Sequence, residues 1–360
     1  MEQPKFSIVV ITKNEEETLP HLLDSLEEFR ARRGEIVICD TGSGDRTMQV
    51  ARLYSCEKMQ IGNKCMNSID ANLADAVNKC TVDIAEKPIL FEGDTYFNFS
   101  AARNIASRFA SENMILSLDA DEVVTNLDID KINSFIDEGY TKFHHTQVFT
   151  HNPDGSDGVK FWQSKFYDER FLVWNNIVHE ALIGDGKVKR LEESVLRIDH
   201  HQNLKTNRGN YLTGLAIDSY LNPEKDVISH FLGRELFWSN RMKSAESEFK
   251  RHLSLKLSHK EFPTMPTHMN SMLYLGNICG LLGKYDEEIE WTKKVLVLEP
   301  KRREPVFRFA EVYKNRGDIA LAKQYAKRAL AFQWNEDYDV SEKTFYLEIK
   351  NLLSELDKLS

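Results

Sequence analysis

Three short apolar runs, each closing on polar or acidic residues, constrain this chain most strongly. Phe6-Ser7-Ile8-Val9-Val10-Ile11-Thr12 is the first, Glu35-Ile36-Val37-Ile38-Cys39-Asp40 the second, and Met114-Ile115-Leu116-Ser117-Leu118 a third that closes on Asp119-Ala120-Asp121-Glu122. Continuous β-branched runs predict strands buried on both faces, because a half-exposed strand alternates apolar with polar residues. After the first run, Leu19, Leu22, Leu23, Leu26 and Phe29 recur at helical spacing until Gly34. Strands alternating with helices predict a mostly parallel sheet covered on both faces, in which ligands bind beyond the carboxyl ends of the strands. All three runs place polar or acidic residues at that edge.

Between residues 140 and 175 the texture changes. Phe143, Phe149, Phe161, Trp162, Phe166, Tyr167, Phe171 and Trp174 alternate with polar residues around Asn152-Pro153-Asp154-Gly155, which predicts antiparallel strands added to the sheet. From about residue 207 the pattern is helical and repeats. Gly283 and Gly317 set a period of 34, and the same shift pairs Leu275 with Phe309, Gly276 with Ala310, and Val295 with Ala329. An earlier copy holds Leu232, Gly233, Ala245 and Phe249, separated from the next by an irregular stretch with Pro263 and Pro266, and Pro300 closes the middle copy. This half resembles tetratricopeptide repeats, whose small residues let paired helices pack closely; Glu288 sits where a small residue is usual, and an unrelated helical bundle is the alternative. The chain thus divides into a first domain over 1–205, a connecting helix or linker over 206–226, and helical repeats over 227–360.

Composition removes several function classes. A chain of 360 residues suits roughly two domains. The net charge of -9 without an extended basic run argues against a nucleic-acid partner. Five cysteines, odd in number and without a CxxC, argue against a disulfide framework and a structural zinc site. No window approaches the roughly 18 apolar residues of a membrane span, and Met1-Glu2-Gln3-Pro4-Lys5 lacks the regions of a signal peptide. The expectation is a cytoplasmic protein without a transmembrane segment.

The strand ends carry the candidate chemistry. In Asp119-Ala120-Asp121, two carboxylates two residues apart suit Mg2+ or Mn2+ that also binds a diphosphate; a solvated acidic loop is the alternative. Asp40 opens the loop Thr41-Gly42-Ser43-Gly44-Asp45-Arg46-Thr47 and is placed either to accept from a base or ribose or to cap a helix, and Thr12, Asn14 and Glu15 offer the same two roles after the first strand.

Four segments in order, Ser-Ile-Val-Val-Ile-Thr-Lys-Asn-Glu (7–15), Ile-Cys-Asp-Thr-Gly-Ser-Gly-Asp-Arg-Thr (38–47), Phe-Ser-Ala-Ala-Arg-Asn (99–104) and Leu-Asp-Ala-Asp-Glu (118–122), resemble the α/β nucleotide-diphospho-sugar transferase (GT-A) fold of inverting family 2 glycosyltransferases, over residues 6 to about 205. The resemblance implies that Thr12, Asn14, Glu15 and Asp40 hold the nucleoside and that Asp119, Ala120 and Asp121 face the metal and diphosphate. It places Arg103 and Asn104 on a helix facing the donor. In Trp174-Asn175-Asn176-Ile177-Val178-His179-Glu180, where the His-Glu pair resembles repeat-bearing members, Glu180 is the expected base and Trp174 and His179 are acceptor-side candidates; the alternatives are a core tryptophan, a structural histidine and a surface carboxylate. Of His200 and His201, which face opposite ways on a strand, His200 is favoured to join Asp119 and Asp121 at the metal. The implied activity is metal-dependent transfer from a nucleotide sugar, a UDP sugar first, to a hydroxyl or thiol of a peptide, protein or glycan, the repeats offering a face for the acceptor or for a homodimer. Competing expectations are a catalytically inactive nucleotide-sugar-binding repeat scaffold, and a nucleotidyltransferase, which lacks here the glycine-rich basic loop of that class. Two departures stand out: the stretch between Thr47 and Phe97, with Cys56, Cys65 and Cys80, is long and without an assigned role, and Asn98 stands where related repeat-bearing enzymes have Asp.

Overall fold

The computed structural model describes residues 2–54, 56–201, 211–255, 265–332 and 342–359. In chain order it contains β1 (Ser7–Thr12), α1 (Leu19–Ser25), α2 (Glu27–Ala31), β2 (Ile36–Asp40), α3 (Thr47–Leu53), β3 (Glu57–Gln60), a 3-10 turn (Gly62–Cys65), β4 (Met66–Ser68), α4 (Ala71–Thr81), β5 (Thr95–Phe97), α5 (Phe99–Ser107), β6 (Met114–Asp119), β7 (Glu122–Leu127) and α6 (Ile129–Asp137). There follow β8 (Lys142–Val148), β9 (Lys160–Asp168), β10 (Leu172–Asn175), β11 (Ala181–Gly184), β12 (Val188–Arg190) and β13 (Leu196–His200). The remaining elements are helices: α7 (Tyr211–Leu221), α8 (Asp226–Trp238), α9 (Met242–Ser254), α10 (Met265–Leu281), α11 (Tyr285–Leu298), α12 (Glu304–Asn315), α13 (Ile319–Leu330) and α14 (Glu342–Lys358). The chain separates into two compact units, Met1–Ser68 with Thr95–Gly209, and Ile69–Asp94 with Asn210–Ser360.

In the first unit the main sheet runs β3-β2-β1-β6-β9-β8-β13-β7, with β12 on β8. The four strands from β3 to β6 are parallel, and β9 is antiparallel to both its neighbours. The sheet is therefore mixed, with the antiparallel extension that the aromatic stretch predicts. The apolar runs do not alternate because both faces are covered. Ile8, Val10, Ile36, Ile38, Leu116 and Leu118 share one core with Leu19, Leu22, Leu23 and Leu26 of the first helical segment. Val9, Ile11, Val37, Cys39 and Ile115 share the other with Ala102 and Ala106 of α5. Each fully buried aliphatic side chain contributes roughly 1.5–3 kcal/mol.

The second unit pairs α8 with α9, α10 with α11, and α12 with α13, each pair packing on the next. Small residues stand where the helices meet: a Cβ added at Gly233 would lie 2.8 Å from the Phe249 ring, and one at Gly280 would lie 2.3 Å from the Glu288 carboxylate. Glu288, the unexpected residue of the middle repeat, is fully buried and ion-paired with Arg308 at 2.6 Å. Gly283 and Gly317 both turn the chain at φ of 74° and 82°, which costs glycine no Cβ clash. The 34-residue period is thus the spacing of two identical turns between paired helices. No described helix is long and apolar enough to cross a membrane.

The expected boundary at 205, like Pro263, lies outside the described residues. The division expected there also misses one excursion, since Ile69–Asp94 leaves the first unit between β4 and β5 and joins the helices. The reason is polar docking. The Glu86 carboxylate accepts from Lys243 N at 2.9 Å and Ser244 Oγ at 2.5 Å, capping the start of α9, which has no side-chain cap of its own. Ser244 Oγ also accepts from Asp83 N at 2.8 Å, and Arg241 donates to the Lys87 and Pro88 carbonyls. That is the structural place of residues 69–94 of the long stretch; its earlier part, with Cys56 and Cys65, stays in the first unit.

Candidate active site

Parallel register sets the carboxyl ends of the strands side by side: Thr12 pairs with Asp40, and Ile11 with Asp119. The loops beyond them are laced together. Thr41 donates from its backbone N and Oγ1 to the Thr12 carbonyl, Asn14 N donates to Ser43 Oγ at 2.9 Å, and Gly44 N donates to Asn14 Oδ1 at 2.8 Å. Asn14 takes a left-handed φ of 57° to do so. Asp40 accepts from Ser43 N at 3.0 Å, and Glu15 N donates to Thr47 Oγ1 at 2.8 Å. At the start of α3 it is Asp45 that accepts from Thr47 N, at 3.0 Å, while the Glu15 carboxylate accepts from Thr18 Oγ1, just before α1, at 2.5 Å. Thr12, Glu15 and Asp40 are all buried.

The segment 98–107 builds the next layer. Asn98 caps α5 by accepting from Ala101 N at 2.9 Å, a neutral cap where a carboxylate was the family expectation. Ser100, Arg103, Asn104 and Ser107 then fall on one helical face. Ser100 Oγ donates to the Asn176 carbonyl, and Phe99 N to the Ile177 carbonyl. Asn104 pairs with the Trp174 backbone through both its amide nitrogen (2.8 Å) and oxygen (2.9 Å). Together they fix the loop after β10, in which Asn176 and His179 adopt φ of 76° and 51° and Ile177 and Val178 turn inward. The loop delivers Glu180 to Arg103.

Arg103 is the centre of the site. Its Nε donates to Glu180 Oε1 at 2.9 Å, Nη1 to Ser117 Oγ at 3.0 Å and Nη2 to Asp119 Oδ1 at 2.7 Å, with the guanidinium 5.1 Å from the centre of the Trp174 ring. On the far side of Asp119, Lys165 Nζ lies 2.6 Å from Asp119 Oδ2 and 2.6 Å from Glu122 Oε1. Glu122 accepts from Asp119 N at 2.8 Å and from Gln147 Nε2 at 3.1 Å. Burial works against Arg103 and Lys165 carrying charge, but the flanking carboxylates outweigh it and raise both; burial works against ionised Asp119, but the two cations hold it well below the usual carboxylate range. His145, buried on β8, is pushed down to about 3, chiefly by burial and then by Lys165. Its ring stays neutral.

Asp121 stands one turn residue beyond Asp119. Antiparallel pairing of β13 with β7 sets His200 opposite Glu122, which carries its Nε2 to 3.1 Å from Asp121 Oδ2. The His200 ring stacks on Phe149 with centroids 4.9 Å apart and planes 2° from parallel. Burial lowers its pKa, and the Asp121 carboxylate more than offsets this, for a net rise. His201 faces away, stacked on His151 at 5.2 Å, while its backbone N donates to the Asp121 carbonyl.

Several residues therefore make contacts that the sequence did not predict. Asn104, expected on a helix facing the donor, has both ends of its amide bonded to the Trp174 backbone and so also holds the Glu180 loop. Trp174, an acceptor-side candidate with a core position as its alternative, takes the core position: it is 5% exposed, with its Nε1 donating to Tyr167 Oη at 2.9 Å. It supports Arg103 from beneath. Asp119, grouped with Asp121 and His200 for a metal, has both oxygens engaged by buried cations, and no group of three metal-binding side chains converges among the described residues. The Asp121–His200 pair is what remains as a donor set of one carboxylate and one imidazole. Lys165 and Gln147 went unnoticed in the sequence because their partners lie on other strands, and Glu122, visible at the end of the acidic turn, had no role assigned.

Residues 7–81 match the model of the family described as Glycosyl transferase family 2. Two curated relatives, the poly(ribitol-phosphate) beta-N-acetylglucosaminyltransferase TarS of Staphylococcus aureus strains Mu50 and MW2, are each 26% identical over 164 residues, covering 45% of this chain and 23% of theirs. The chain spans about a quarter of the length of these relatives. Among solved structures, the chain is similar to PcrH from Pseudomonas aeruginosa (16% identity, TM-score 0.30, 37% of this chain and 91% of that one) and to the Cut9–Hcn1 hetero-tetramer of APC/C (19%, 0.32, 41% and 27%).

Proposed function

We propose that this chain, whose residues 7–81 carry a family 2 glycosyltransferase segment, is a metal-dependent inverting glycosyltransferase. The donor is a nucleotide-diphosphate sugar, with UDP sugars the first to test, and the acceptor a hydroxyl or thiol on a peptide, protein or glycan. The observation that carries this reading is that Arg103 joins Glu180 to Asp119 at the same sheet edge as Thr12 and Asp40. The N-acetylglucosaminyl transfer for which the relatives are named supports it and makes N-acetylglucosamine the first sugar to try. Their β product is what inversion at an α-linked donor leaves.

In this reading Thr12, Glu15 and Asp40 line the nucleoside side, while Asp121 and His200 stand toward the diphosphate. Of the two expected ions, one carboxylate and one imidazole suit Mn2+ better than Mg2+, which prefers oxygen ligands alone; the other positions would stay open to substrate oxygens and water. What a bound cation supplies is Lewis-acid stabilisation of charge on the leaving diphosphate. Glu180 has Oε1 held by Arg103, so Oε2 is the atom to take the acceptor proton. As that proton moves, the acceptor atom bonds to the anomeric carbon and the bond to the diphosphate breaks, its electron pair leaving with the phosphate oxygen. The helical repeats are proposed to present the acceptor or to pair two copies of the chain.

Glu180→Gln tests the assignment. Transfer should fall by about 10²–10⁴-fold with nucleotide-sugar binding retained. Undiminished transfer would remove Glu180 as base, and a wild-type protein that binds nucleotide sugar without turning it over in an acceptor screen would favour the scaffold reading.

A further inference from the structure

Lys165 enters the site from β9, whose pairing sets Phe166 opposite Leu116 and so brings Lys165 level with the end of β6. Its side chain is 9% exposed, and its ammonium bridges Asp119 Oδ2 and Glu122 Oε1. Arg103 holds the other Asp119 oxygen, and Glu122 accepts from the Asp119 backbone N. Asp119 is therefore gripped at three atoms. Asp121, two residues on, is met through its side chain by His200 instead.

We infer that Lys165 is a positioning residue that divides the two carboxylates of the Asp119-Ala120-Asp121 turn: it ties Asp119 into the sheet as an anchor and leaves Asp121, with His200, to face the cation. A carboxylate whose two oxygens each accept from a cation has its charge offset by them and fewer lone pairs left for a metal, so Asp119 is a weaker ligand than Asp121. Removing the ammonium frees Asp119 Oδ2 while Arg103 still holds Oδ1. The turn then offers two carboxylates to one cation, which holds the ion more tightly but draws it away from the position set by Asp121 and His200. This inference rests on the proposed function.

Two variants separate positioning from charge and stability. Lys165→Met removes one buried positive charge and leaves Glu122 without its cation, so it loses stability as well. Lys165→Met/Glu122→Gln restores the charge balance, and its amide oxygen still accepts from Asp119 N. Mn2+ binding to the nucleotide-free protein, by titration calorimetry, and donor turnover are read beside the thermal midpoint. The double variant should recover most of the midpoint lost by Lys165→Met, yet bind Mn2+ about tenfold more tightly than wild type and turn over about 10- to 100-fold more slowly. Return of both Mn2+ affinity and turnover to wild-type values in the double variant would overturn the inference and leave Lys165 as charge balance. A wild-type protein that binds no Mn2+, with or without UDP, would instead overturn the proposed function, and the inference with it.

Discussion

Glu180 and Asp119 are held by one guanidinium, 2.9 Å from Arg103 Nε and 2.7 Å from Nη2 respectively. A planar fork of this kind fixes both the distance and the relative orientation of its two partners, which a point charge does not. Arg103→Met should therefore cost at most about 3 kcal/mol of stability in denaturant titration, since Glu180 loses its cation while Asp119 keeps Lys165. Arg103→Lys should recover part of that stability but little of the turnover.

Asn104 tests whether the loop that carries Glu180 must be held in place. Asn104→Leu removes both hydrogen bonds to the Trp174 backbone and should cost about 1–3 kcal/mol. Turnover should fall by a larger factor than nucleotide affinity, measured by steady-state kinetics beside calorimetric binding. Equal losses in both would place Asn104 on the donor after all.

Acid should weaken the helical unit. His230 and His252 share the Ser271 hydroxyl at 2.8 and 2.9 Å, and the His252 and His268 rings lie 4.4 Å apart. Burial, then the neighbouring His268, pushes His252 down to about 3 from an ordinary 6.5. Below pH 6.5 the unfolded chain thus takes up a proton that the folded unit refuses. Stability from this group is complete above about pH 6.5 and falls by up to about 1.4 kcal/mol per pH unit toward pH 3. Urea midpoints from pH 7.5 to 4.5 should show that slope, and His252→Phe should flatten it.

Glu86 caps α9 from a segment about 150 residues away in the chain. Glu86→Ala should cost about 0.5–2 kcal/mol and raise hydrogen exchange in the first turn of α9, with the central strands unchanged. No change in that turn would mean that the excursion docks through other contacts.

What the sequence discloses and what it hides follow from the range of the signal. Strands buried on both faces leave an unbroken apolar run, so β1, β2 and β6 and their acidic ends are visible locally, as are the repeat turns at Gly283 and Gly317. Lys165 is invisible because its role depends on the register of β9 against β6, and nothing near Phe166 encodes that register. The choice of His200 over His201 is a question of strand parity, which adjacent identical residues cannot answer until β13 is paired with β7. Trp174 shows the same limit: the spacing of aromatics leaves a sugar-stacking face and a core position both open, and only the packing of Arg103 on its ring puts it in the core. Glu86 and the excursion of Ile69–Asp94 lacked any local pattern that points to their docking site.

The most direct measurement is a thermal-shift series with UDP, GDP, CMP and UDP-N-acetylglucosamine, with and without Mn2+, on wild type and Asp121→Ala. A ligand that binds only the folded protein raises its midpoint by mass action. A Mn2+-dependent rise with UDP or UDP-N-acetylglucosamine, lost in Asp121→Ala, is the predicted result. No rise with any nucleotide at millimolar concentration, or a Mn2+-dependent rise that survives in Asp121→Ala, would contradict the account of this site.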